Sequence, residues 1–220
     1  MRPARAARAV ACAAALVLAG CAARGPQLPP VAAAGLPASV ELESTPFFPQ
    51  QDYQCGPAAL ATVLVASGAQ VSPDDLVAEV YLPGRKGSLQ AELIAATRSR
   101  GRLPYVLPPA FDDLLAQLAA GHPVLVLQKT GAGPWPGWHY AVVIGYDASR
   151  DRVLLRSGTE PRLEMSATRF RATWDRADRW AMTVLEPGQV PARADFGRTM
   201  EAAAGLEAVH PARELPADPE

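Results

Sequence analysis

Little in this sequence could crosslink the chain or hold a metal ion. Its 220 residues include three cysteines (Cys12, Cys21, Cys55) and three histidines (His122, His139, His210). None of their spacings suits a ligand set, so neither a metal nor another cofactor is expected. Charge of one sign is also scarce. With 21 Lys and Arg against 22 Asp and Glu the net charge is −1, and the cations are scattered, which argues against nucleic acid as a partner. No glycine-rich phosphate loop and no series of long apolar runs occurs, so an ATP-driven transporter is not encoded here. Apolar material is ample: 49% of the residues are hydrophobic, enough to fill a core.

The first twenty residues read as a targeting segment. Arg2, Arg5 and Arg8 make a basic start without an acid, and Val10 to Ala19 form an apolar run too short for a bilayer span. The run ends in Leu18-Ala19-Gly20-Cys21, which resembles a bacterial lipobox. The expectation is removal of signal peptide 1–20, lipidation of Cys21, and a protein held on the periplasmic face of a membrane. Ala22, where an aspartate would mark inner-membrane retention, points to the outer membrane. Processing removes Cys12 and consumes the thiol of Cys21, leaving Cys55 alone. A lone thiol in an exported protein has no disulfide framework to serve. It is either a small buried apolar residue or a reactive one.

Composition divides the rest. Residues 21–45 are rich in Ala, Pro and Gly and read as a flexible tether. Residues 46–187 carry the regular patterns of a domain, and 188–220 read as a low-complexity tail in which Met200 to Ala208 can form a short helix. Within the domain, Pro57 to Ser67 is apolar all round, as a buried helix is, and Gly68 closes it. Ser72-Pro73-Asp74-Asp75 is a helix start with a capping serine, proline in the first turn and early acids. Ser88 opens a third helix running to about Arg100, and Phe111 to Ala120 gives a fourth. Val124 to Gln128, Tyr140 to Tyr146, Val153 to Leu155 and Trp180 to Leu185 are apolar runs of strand length. Helices first and antiparallel strands second make an α+β architecture.

Cys55 precedes Gly56-Pro57 and the buried helix. A thiol at a helix start faces free N–H groups and the positive end of the dipole, and both favour the thiolate. Such a nucleophile needs a base, usually histidine. His210 lies in the tail, and His122 sits in the turn Gly121-His122-Pro123. His139 heads an apolar strand behind a Gly/Pro/Trp-rich loop (Gly131 to Trp138), which leaves it as the candidate base, with a packed strand-edge residue as the plainer reading. Trp135 and Trp138 could line a substrate cleft or simply pack at its rim.

The segment Phe47-Phe48-Pro49-Gln50-Gln51-Asp52-Tyr53-Gln54-Cys55-Gly56-Pro57-Ala58-Ala59-Leu60 resembles the nucleophile motif of the bacteriocin-processing (double-glycine) peptidases, and Trp138 to Tyr146 is similar to their histidine strand. The resemblance spans about residues 45–187 and implies a papain-like fold, hydrolysis of a peptide or protein substrate without a cofactor, and cleavage after small residues. It gives Gln50 the role of oxyanion donor, with Gln51 as second choice in the same cleft. It also marks a departure. Where the family has Asp or Asn after the histidine strand, Val153-Leu154-Leu155-Arg156-Ser157 places Ser157. A Cys55–His139 dyad helped by Ser157 is therefore expected, in a monomer touching the membrane through its lipid. The rival expectation is a weakly active or inactive module that keeps the cleft and binds peptide or glycan. A scaffold acting through its tail or tether is a third reading.

Overall fold

The computed structural model of the chain describes residues 28, 29, 31–50, 54–131 and 137–209. In chain order its elements are β1 (Ser39–Glu41), α1 (Cys55–Ala66), α2 (Pro73–Val80), α3 (Gln90–Ser99), β2 (Leu103–Val106), α4 (Phe111–Ala119), β3 (Val124–Thr130), β4 (Gly137–Asp147), β5 (Arg152–Ser157), β6 (Glu160–Ser166), α5 (Ala167–Asp175), β7 (Ala181–Leu185) and α6 (Phe196–Val209). The strands form one antiparallel sheet in the order β2-β7-β3-β4-β5-β6, and β1 pairs with the end of β4.

The sheet has a core on each face because side chains alternate along a strand. Tyr140, Val142 and Ile144 of β4 share one cluster with α1, α2 and α3. Ala141 and Val143 share the other with α4 and α5. Helix α1 is buried without interruption from Gly56 to Leu64, so its sequence shows no polar stripe. It ends where Gly68 adopts φ +82° and Ala69 N–H bonds the Leu64 carbonyl, a left-handed stop that glycine makes without strain. Helix α2 starts at a complete capping box: Ser72 accepts from the Asp75 N–H, and the Asp75 carboxylate accepts from the Ser72 N–H.

Three expectations need correction. Residues 28, 29 and 31–45 are packed along the sheet and do not hang free of it. Leu28 and Val31 lie in the core beside α4 and α5. Leu28 N–H donates to the Asp151 carboxylate at 2.8 Å, Tyr146 Oη donates to the Pro37 carbonyl at 2.9 Å, and Val40 pairs with Tyr146. The alanine-rich composition hid a few well-spaced apolar residues that find a groove. Residues 188–209 are likewise docked: Gln117 exchanges hydrogen bonds with the Ala192 backbone, Asp195 N–H donates to Tyr105 Oη, and α6 lies against β2 and α3. Third, Ser88 does not open α3. That helix begins at Gln90, and the Ser88 hydroxyl is buried with no hydrogen-bond partner among the described residues.

The sequence reading also passed over β2, β6 and α5. Strand β6 is an edge strand, Glu-Pro-Arg-Leu-Glu-Met-Ser, whose charges and proline keep it from pairing outward and so erase the apolar alternation.

Candidate active site

The site forms on the edge of β4 where its neighbour runs out. Leu127 of β3 lies opposite Tyr140, yet its N–H donates to the Trp180 carbonyl, away from β4. The peptide groups of Tyr140 therefore face the other edge, as in any non-hydrogen-bonded antiparallel pair. Strand β5 does not reach them, its last registered pair with β4 being Arg156 opposite Val142. A buried N–H and C=O left unclaimed by a strand must be satisfied otherwise. Cys55 and Gln50 do so: the Tyr140 N–H donates to the Cys55 sulfur, and Gln50 Nε2 donates to the Tyr140 carbonyl at 3.3 Å. Gln50 is held from its backbone as well, since its N–H donates to the Gly158 carbonyl at 3.1 Å.

Cys55 is the first residue of α1, and the adjoining glycine is required by packing. A Cβ on Gly56 would collide with the Ser88 side chain. Tyr140 closes the same region from below, its hydroxyl donating to the Ser88 carbonyl at 3.3 Å. His139, one residue before Tyr140, points to the opposite face of β4, where its Nε2 lies 2.8 Å from Ser157 Oγ. Gln50 and Cys55 thus meet at the peptide groups of Tyr140, and His139 meets Ser157 one residue earlier on the same strand.

The electrostatics differ from the expectation. Burial pushes the Cys55 thiol above its ordinary value, outweighing the N–H groups of Tyr140, Gly56 and Cys55 itself, which pull it down. Burial also pushes the His139 imidazole below its ordinary value. Both shifts favour the uncharged forms, thiol and imidazole. The helix start alone does not make Cys55 a thiolate, because the same packing that holds it there removes water.

Trp138 is 55% exposed at the rim, with the Lys129 ammonium 5.1 Å from its ring centre. His122 is engaged structurally, its Nδ1 lying 3.0 Å from Gln117 Oε1. Cys21, Gln51, Trp135 and His210 lie outside the described residues. Among the described residues no cluster of His, Cys, Asp and Glu could hold a metal, and no helix is long and apolar enough to cross a membrane. Two surface cavities of about 260 and 270 Å³ lie away from these residues, one between α3 and α6 and one beside α4 and α5. The sequence reading missed the backbone of Tyr140, because nothing in an apolar run announces which peptide groups a strand will leave unpaired.

No curated protein matches the chain. Solved structures do. A C39-like peptidase from Bacillus anthracis superposes with a TM-score of 0.56 at 18% identity, over 69% of this chain and 99% of that one. The peptidase domain of Streptococcus ComA, a bi-functional ABC transporter involved in a quorum-sensing pathway, gives 0.51 at 19% identity over 64% and 98%. Xylellain, a cysteine protease from Xylella fastidiosa, gives 0.48 at 13% identity over 74% and 91%. The first two carry the same α+β, papain-like fold. The model of the Peptidase_C39 like family matches residues 42–182, well over half the chain, and the protein belongs to that family.

Proposed function

We propose that the protein is a cysteine peptidase acting on peptide substrates at the periplasmic face of a membrane to which Cys21 anchors it. The observation that carries this reading is the thiol of Cys55, hydrogen-bonded at a helix start to the residue that follows His139. His139 engages Ser157 through Nε2, which leaves Nδ1 as its second nitrogen. With the proton on Nε2 donated to Ser157 Oγ, Nδ1 is the basic atom. The reaction then starts from a neutral pair: as the Cys55 sulfur attacks the carbonyl carbon, its proton passes to His139, which later gives it to the leaving amine. The backbone N–H of Cys55 and the Gln50 amide stabilise the oxyanion, Gln50 turning from the Tyr140 carbonyl to the substrate. Such a donor is worth roughly 10²–10³ in rate. Ser157 orients the ring but adds no charge, so imidazolium is poorly stabilised and turnover is slow.

The test is hydrolysis of a fluorogenic peptide library rich in Gly-Gly and Ala-Ala by the purified domain. Cleavage abolished in Cys55→Ala and His139→Ala supports a peptidase. Ser157 as the partner of His139, in place of an acid, favours a second reading, a module that binds peptide with Trp138 at its rim and cuts slowly or not at all. Peptide binding that survives Cys55→Ala, with no product from the unmodified protein, decides for that module.

A further inference from the structure

We propose that the lipid anchor holds the catalytic cleft at the pole of the domain farthest from the membrane, so that the substrates are polypeptides arriving from the aqueous side and not segments at the bilayer. This rests on the reading that Cys21 is lipidated. The geometry comes from where the anchored chain joins the fold. Leu28 is buried in the core, and its N–H is fixed to Asp151 in the turn that links β4 to β5. That turn follows Asp147, the last residue of β4, whereas His139 and Tyr140 lie near its first, Gly137. Eight residue steps along the strand lead from His139 to Asp147, which at a strand's rise per residue is about 25 Å. Anchor point and cleft therefore occupy opposite ends of the longest strand.

The free length of chain decides whether the domain can turn over. Seven peptide steps join Cys21 to Leu28, at most about 23–25 Å when pulled straight. Laying the cleft on the headgroups would raise Leu28 by the full length of β4, consuming all of that reach and leaving none for the thickness of the domain beyond Cys55. Had residues 28–38 been loose, the tether would have extended to β1 and inversion would have been easy. The burial of Leu28 and Val31, the Asp151 contact and the Tyr146–Pro37 hydrogen bond remove that freedom.

The experiment needs no catalytic activity. Full-length chain, lipidated by an expressing host, is reconstituted into phosphatidylethanolamine vesicles in which a small fraction of headgroups carries a maleimide, either directly or through a polyethylene glycol spacer of roughly 50 Å, twice the strand length derived above. Cys55 is the one remaining thiol, and soluble maleimide sets its intrinsic rate. Labelling by the spacer-bearing lipid should exceed labelling by the directly coupled lipid at least tenfold. Inserting twelve Gly/Ser residues after Arg24 should erase most of that difference, and Asp151→Ala should reduce it. Equal labelling by both lipids in the unmodified chain overturns the orientation. A chain that fails to float with the vesicles and lacks the acyl mass overturns the anchor, and the proposal with it.

Discussion

At the scale of single residues the site turns on what stands beside His139. Ser157 Oγ sits 2.8 Å from its Nε2, a neutral partner where the resemblance implied an Asp or Asn. Ser157→Asp is therefore expected to raise the imidazole's affinity for a proton and draw the pair toward thiolate and imidazolium. Iodoacetamide should then modify Cys55 at pH 6.5 about tenfold faster, since one pKa unit corresponds to about 1.4 kcal/mol. An unchanged rate would mean that Ser157 does not govern the histidine. The pH profile carries a second expectation. His139 is held below its ordinary value, so the base stays unprotonated and peptide cleavage persists as pH falls through about 6.5, failing only at lower pH. Thiolate chemistry without His139 should appear only in the alkaline range, because burial lifts the Cys55 thiol. Cys55 and Gln50 could be named as candidates from one short motif, and His139 from its place at the head of an apolar strand. The neutral resting pair was not legible, since desolvation depends on what packs over a residue, and the sequence around Cys55 speaks only of the helix.

At the scale of elements the join between α1 and the start of α3 is the sensitive one. Ser88 fills the space where Gly56 lacks a side chain. Gly56→Ala should cost about 1–3 kcal/mol in urea unfolding, as overpacked cores do. Ser88→Gly in the same chain should recover most of it, whereas additive losses would show that the two do not meet. Gly145 is similar on the other side of β4, where a Cβ would strike the Val40 carbonyl of β1. Helices α1, α2 and α4 could be read from sequence because each has a local mark: a solid apolar block, a capping box, an amphipathic run. Helix α5 carried a mark that went unread, with Ser166 at its cap and Ala167, Phe170 and Trp174 at helical spacing on the core. Strand β1 and the buried Leu28 and Val31 had none, because their stability comes from the groove they enter and not from their own pattern.

At the scale of the whole molecule, two half-buried histidines are kept neutral by burial, His139 at the site and His122 under α4. Groups whose folded pKa lies below the unfolded one contribute stability above about pH 6.5 that is lost as pH falls through their folded values. Thermal unfolding followed between pH 7.5 and 5 should thus show a falling Tm, and His122→Asn should flatten the fall. An acid slope identical in that variant would assign the loss to other groups. Both clusters of the core meet on β4, one holding Tyr140 and the other lying beneath His139, so the site exists only while both layers are assembled. Its central contact also has an unusual genetic status. Tyr140 serves Cys55 and Gln50 through its peptide N–H and C=O, which all twenty residues except proline supply alike. A residue-by-residue mutational scan will therefore score position 140 by its ring alone and remain blind to the bond that seats the nucleophile. Replacing that one amide by an ester would make it visible.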